Sequence, residues 1–164
     1  MQIKTCVLFG LTAVLLFLSA GSEKASFTEG FRPGNRASRI EYGESNLSVD
    51  FSNRTGHYTL LNFWAAYDAV SRVHNMQLWR KISALDSTRI TLFSISMDEN
   101  FSVYAETLKA DKLDTTNQFY AGRENKSSLY KKYGLKDGFK NFLIDDKGVI
   151  VAANVTAEEL SNVK

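Results

Sequence analysis

The stretch TLLNFWAAYDAVSRVHNMQLWRKISALDSTRITLFSIS, residues 59–96, decides how the fold is read. It opens on a dense apolar run, Thr59 to Ala65, with the length and composition of a buried strand. Asp68 follows in the place of a helix N-cap. Val70, Val73, Leu78, Ile82 and Leu85 then recur at roughly helical spacing up to Asp86. Arg89 to Ser96 (RITLFSIS) is a second buried strand. Strand, helix and strand in such a short span form a βαβ unit, with parallel strands and a right-handed crossover.

Reading outward toward the C-terminus, Asp98 is placed to cap a helix carrying Phe101, Tyr104, Ala105 and Leu108. Asn125 to Tyr133 reads as a short helix that Gly134 terminates. Phe101, Tyr104, Tyr130 and Tyr133 fall at helical spacings and are expected in or beside the core. Asn141 to Asp145 and Val149 to Asn154 flank the turn Asp146-Lys147-Gly148, a hairpin signal. Thr156 and Glu159 form a capping box for a final helix. Toward the N-terminus, Asn46 to Phe51 alternates as a short strand. Residues 22–45 are polar and glycine-containing, and read as an extended leader with little regular structure. The expected architecture is α/β: a mixed sheet of about five strands with helices on both faces, over residues 46–164.

Composition narrows the function classes. The chain has 164 residues, 44% hydrophobic and 12% aromatic, enough for one domain with a real core. A net charge of +2 is too balanced for a dedicated nucleic-acid binder. The one cysteine, Cys6, rules out an intrachain disulfide or a multi-cysteine metal site. Two histidines without a local carboxylate cluster speak against a transition-metal site, and no cofactor is expected. Lys4 and the apolar run Val7 to Ala20, followed by Gly21 and Ser22, read as an export signal over residues 1–21. The run is too short for a comfortable membrane span, so no stable span is expected after cleavage. Cleavage after Gly21 removes Cys6 and leaves no thiol.

Within this frame, LLNFWAAYDAVSR, residues 60–72, resembles the active-site segment of exported bacterial thioredoxin-like proteins. These are thiol–disulfide oxidoreductases of the TlpA/ResA type, related to the peroxiredoxin-like families. In their F-W-A-x-W-C-x-x-C-R pattern a strand runs into the first helix, and Phe63, Trp64, Ala65 and Arg72 match it. Tyr133 to Ala152 resembles the second signature, in which Tyr-Gly precedes a cis-proline loop and an F-L-I-D hairpin. Residues 34–40 weakly resemble the family's opening segment. The resemblance implies a thioredoxin-like fold over nearly the whole chain after the signal. It also locates departures. Asp68 stands for the nucleophilic cysteine, Ser71 for the resolving cysteine, Met76 for the helix-kinking proline and Phe139 for the cis-proline. His74 stands for an acidic residue, and Ser38 for the proline of the opening segment. Thiol–disulfide exchange and peroxide reduction both need a thiolate, so neither is expected.

The same positions have other readings. Asp68 serves as a structural N-cap, or as a functional carboxylate. Asp68, Ser71 and His74 invite a hydrolase reading, although Asp68 lies six residues from His74 on one helix and no G-x-S-x-G elbow exists. His57 is expected in an exposed turn. In the family's geometry Trp64, Tyr67 and Phe139 border the former redox centre as a candidate binding rim; filling the space of the lost proline loop is the other role open to Phe139. The leading expectation is an exported protein of the periplasm or cell envelope of a Gram-negative bacterium. It would act without catalysis on another envelope protein or peptide, or serve as structural support, and would not act on nucleic acid. The alternatives are a thioredoxin-family role in thiol–disulfide homeostasis, with a partner supplying the thiols, and a non-thiol enzyme. A cis peptide before Phe139 would cost about 2.5–4 kcal/mol, so a trans bond is expected there.

Overall fold

A computed structural model describes residues 27–42, 47–52, 55–85 and 89–163. The export signal at 1–21, Asn46 and Asp86 lie outside the described residues. The quoted stretch forms β3 (Tyr58–Trp64), α1 (Ala69–Ala84) and β4 (Ile90–Ser96), with the two strands parallel as expected. Two short strands precede them, β1 (Ile40–Tyr42) and β2 (Leu47–Val49), paired antiparallel. After β4 come α2 (Phe101–Asp111), β5 (Gln118–Tyr120), α3 (Gly122–Lys132), β6 (Asn141–Ile144) and β7 (Ile150–Ala153). The five-stranded sheet has the order β5-β4-β3-β6-β7. β3 is therefore central, with β4 parallel on one side and β6 antiparallel on the other.

The alternation of side chains along each strand divides the core in two. Leu61 and Phe63 of β3, Phe93 and Ile95 of β4, and Phe142 and Ile144 of β6 face one way. They meet Leu129 and Tyr133 at the end of α3, together with Ile40 and Phe51. Leu60, Leu92 and Leu143 face the other way, against Leu78, Trp79 and Ile82 of α1. Trp64 extends that second layer to Tyr104 and Leu108 of α2. Helices thus cover both faces.

Four expectations need correction. Residues 27–42, read as leader, are built into the fold. Gly34 N donates to Ile150 O at 2.8 Å, Ile150 N to Asn35 O at 2.9 Å and Ala37 N to Gly148 O at 2.9 Å, so this segment covers the outer edge of β7. Polar composition hid it: the β7 edge is held by backbone bonds, and only Ala37, Ile40 and partly buried Phe31 enter the core. Asp98 does not cap α2; Asn100 holds that position without a side-chain bond. Asp98 turns inward because buried donors there need an acceptor. The capping box of Thr156 and Glu159 does form, with bonds of 2.8 and 3.4 Å, but it opens only a 3₁₀ turn, Glu159–Asn162. Phe101 is 61% exposed, whereas Tyr104 and Tyr133 are buried.

Candidate functional site

The site grows from the end of β3. The chain leaves the sheet at Ala65 and reaches α1 through Ala66, Tyr67 and Asp68. The turn is pinned from beneath: Ala66 N donates to both oxygens of buried Asp98, at 3.0 and 3.1 Å. Ser96 Oγ donates to the same carboxylate at 2.7 Å. Asp68 then takes the extended backbone of an N-cap, and its Oδ1 accepts from Ser71 N at 2.8 Å. Ser71 Oγ donates to Asp68 O at 3.2 Å and accepts from Ala65 N at 3.3 Å. Each of these two side chains thus serves the backbone of the turn it sits in. Such a cap is worth about 0.5–2 kcal/mol.

Arg72, one residue on, makes a two-pronged ion pair with Asp111 at 2.8 and 2.6 Å and ties α1 to α2. The hydrogen bonds to Asp111 raise the guanidinium pKa further.

The facing wall comes from the loop before β6. Gly134 has φ 59° and closes α3 in the left-handed conformation. A 3₁₀ turn, Leu135–Asp137, follows, and Gly138 with φ 112° turns the chain to Phe139. The Gly138–Phe139 bond is trans. Phe139 packs between two tyrosines, its ring 6.2 Å from Tyr67 and 6.1 Å from Tyr130, and the two hydroxyls lie 3.5 Å apart. Burial and then the Tyr130 hydrogen bond push the Tyr67 phenol well above its ordinary pKa.

Between these walls lies a cleft of about 160 Å³, lined among others by Asn62, Asp68, Ser71, His74, Phe139 and Asn154. Four of the six positions singled out as departures, Asp68, Ser71, His74 and Phe139, thus come together, whereas Met76 packs beside Trp64 and Ser38 lies elsewhere. Tyr67 stands at the mouth, 65% exposed. Trp64 is a correction. It is fully buried against Tyr104, because strand alternation turns it under α1 and α2, and it contributes nothing to the rim. Val70 and Val73 reverse the helical reading: they are 81% and 51% exposed, beside the cleft instead of in the core. His57 is exposed in its turn, and Ser38 is buried, its carbonyl accepting from the Tyr133 hydroxyl. Among the described residues no group of three or more metal-ligating side chains comes together.

Sequence reasoning missed a buried polar network behind the cleft. Asn62 Nδ2 donates to Asn75 Oδ1 and to Ser94 Oγ, both at 3.1 Å. Ser94 Oγ donates to Asn75 Oδ1 at 2.6 Å, and Asn75 Nδ2 to Gln118 Oε1 at 3.2 Å. The available signal was a polar residue at the middle of each apolar run, Asn62 in β3 and Ser94 in β4.

No family model matches the chain, and no curated protein does. Solved structures do. A thioredoxin-like protein from Parabacteroides distasonis is 52% identical, with a TM-score of 0.77 over 84% of this chain and 98% of that one. The thioredoxin domain of a thiol-disulfide oxidoreductase from Bacteroides vulgatus is 23% identical, TM-score 0.66, over 81% and 95%. A thiol:disulfide interchange protein from Bacteroides sp. is 22% identical, TM-score 0.64, over 83% and 87%. The last two likenesses are likenesses of fold.

Proposed function

The chain belongs to the thioredoxin-like proteins, and from that premise we propose that it is an exported member that binds a partner protein or peptide at the cleft without thiol chemistry. The observation that carries this reading is the first turn of α1. Where the fold family places its thiols, Asp68 and Ser71 hold each other and the turn through hydrogen bonds, while Tyr67, Val70 and Val73 stand exposed around them. Exchange of disulfides needs a thiolate that attacks sulfur. Cys6 is the chain's one thiol, and the signal reading removes it. Exposed aromatic and aliphatic side chains around a recess are what interface centres are made of. The apolar run Val7 to Ala20 behind Lys4 supports export to the envelope.

A hydrolase built on Asp68, Ser71 and His74 finds less support. The Ser71 hydroxyl donates to the Asp68 carbonyl and is buried, so it is engaged by the helix turn and not by a base.

The test has two arms. Purified protein is assayed for reduction of insulin disulfides and for peroxide turnover; rates at the buffer level are expected, and turnover that survives removal of contaminating reductases overturns the reading. In the second arm a photo-crosslinking side chain replaces Tyr67, with His57 as the control position. A discrete envelope-protein adduct from position 67 alone is expected; equal labelling from both positions overturns rim binding.

A further inference from the structure

Two recesses of different chemistry meet at the first turns of α1. One is the cleft, lined by Asp68 and Phe139, with the Tyr67 ring packed on Phe139. The other is a shallow depression of about 500 Å³ lined by Ala69, Val70, Val73, His74 and Gln77. Val70 and His74 line both, so the recesses adjoin. The second is mostly aliphatic, with His74 and Gln77 as its polar members. The first carries a carboxylate that the protein leaves half used: Oδ1 accepts from Ser71 N, and Oδ2 accepts no hydrogen bond among the described residues. The one lysine lining the cleft, Lys140, is directed elsewhere. Its Nζ donates to Gly134 O at 2.9 Å and lies 5.8 Å over the Phe31 ring. A second carboxylate, Asp98, lies behind the turn. Asp98 and Asp68 both act on the Tyr67 phenol, adding to the larger effects of burial and Tyr130.

We propose that this pair of recesses reads an arginine followed or preceded by an aliphatic residue in an extended segment of the partner, the guanidinium meeting Asp68 beside the Tyr67–Phe139 aromatic pair and the aliphatic side chain settling on Val70 and Val73. The inference rests on the rim-binding reading given above and names the chemistry of its partner. Charge complementarity selects a cation, since the carboxylate has a free oxygen and no cation among the described residues answers it. A planar guanidinium suits the place better than an ammonium. It stacks on aromatic faces and pairs with a carboxylate through a rigid fork. Val70 at 81% exposure supplies an apolar contact two residues along from Asp68, which a free guanidinium ion would not use.

The test uses two blocked pentapeptides, acetyl-Ala-Leu-Arg-Leu-Ala-amide and the same peptide with citrulline for arginine. Citrulline keeps the shape and removes the charge. Binding is followed by calorimetry and by amide chemical shifts with the wild-type protein, Asp68→Asn and Tyr67→Ala. Asparagine caps as well as aspartate does, so Asp68→Asn is expected to fold; its thermal melt checks this. Wild-type protein should prefer the arginine peptide by about tenfold or more, the scale of a charge-assisted two-pronged pair. Asp68→Asn should bring that preference to about twofold or less, and Tyr67→Ala should weaken both peptides. Equal affinity of wild type for the two peptides overturns the cation assignment while the rim reading stands. A preference that survives Asp68→Asn overturns the role of Asp68. Absence of binding by either peptide at millimolar concentration overturns the inference, and the position-67 crosslink then decides the rim reading separately.

Discussion

The cleft and the network behind it are both polar, and Asn62 belongs to both, yet they are built to opposite ends. In the network, buried amides and a hydroxyl answer one another: Asn62 to Asn75 and Ser94, Ser94 to Asn75, Asn75 to Gln118. At the mouth of the cleft, Asp68 and Ser71 answer only the turn they sit in, and Val70, Val73 and Tyr67 beside them face water. Sequence type does not separate the two, since both set Asn and Ser among hydrophobic residues, with Gln118 added in one and Asp68 in the other. Completeness of partnering does. The network, closed among the described residues except at the buried Gln118 Nε2, specifies how α1 sits on β3 and β4, and an open cleft has capacity for something else.

The comparison breaks first, if it breaks, at Asn75. Asn75→Leu leaves the Gln118 Oε1 acceptor and part of the Asn62 and Ser94 bonding without partners in the core. The loss of stability should be about 3 kcal/mol, read as a lower urea midpoint at unchanged slope. A loss below about 1 kcal/mol would place the network with the dispensable groups.

Arg72 comes next. Asp111 is only 7% exposed at its side chain, so Arg72→Met leaves a buried carboxylate without its cation. Arg72 itself is 35% exposed, and water screens the pair, so the expected cost is about 2 kcal/mol and not that of a fully buried pair. A double-mutant cycle with Asp111→Asn isolates the coupling.

How much of this was legible beforehand follows the same division. The βαβ unit and the hairpin of β6 and β7 were readable because burial on a sheet leaves uninterrupted apolar runs and the turn carries Asp146-Lys147-Gly148. The Asp68 cap was readable because capping is local. β5 has three residues, too few for a period, and the segment 27–42 is held by backbone bonds and a few scattered core side chains, Ala37 and Ile40 among them, that make no period. Asp98 and Trp64 were misplaced for one reason: local spacing does not reveal which way a residue turns where β3 and β4 end. There Trp64 goes under α2, and Asp98 is drawn in by Ala66 N and Ser96 Oγ. Exposure of Val70 and Val73 was equally hidden, because an apolar stripe written for a core face and one written for a partner look alike.

Asp68 separates cap from recognition on a smaller scale. Asp68→Ala removes the acceptor of Ser71 N and should cost about 1 kcal/mol, while Asp68→Asn should stay within a few tenths because the cap survives. Equal losses in the two variants would mean that the charge, and not the cap, stabilises the turn.

Acid should act away from both regions. Backbone and side-chain bonds from Ser52 hold the Asp50 carboxyl below its usual range, and those from Thr116 do the same for Asp114. A folded pKa below the unfolded one gives stability that is present above the unfolded value and is lost as pH falls through the folded one. Asp50→Asn and Asp114→Asn should therefore each make the acid limb shallower below about pH 4, with no change at neutral pH in the slope of stability against pH. Tryptophan fluorescence melts across that range check it, and a changed slope near neutrality would point to another group.

The smallest expected change in stability makes the sharpest use of the comparison. Tyr67 is 65% exposed, its ring touches Phe139, and its hydroxyl stands 3.5 Å from that of Tyr130. Phe139 keeps its contact with Tyr130 when Tyr67 is gone. Tyr67→Ser should leave the melting curve within about 0.5 kcal/mol of wild type, the ordinary range of a surface change. If the ring existed to complete the fold, in the way Asn75 completes the network, the cost would approach that of a lost aromatic contact with its burial, about 1–2 kcal/mol. A large exposed aromatic whose removal costs nothing in the free protein is stabilising something other than the free protein. The paired result, an unmoved melt together with loss of the position-67 crosslink when Phe139 is changed to Ala, would set the rim apart from the network in the terms that distinguish recognition from structure. A melt lowered by about 1 kcal/mol or more would instead assign Tyr67 and Phe139 to packing and remove the rim as a distinct region.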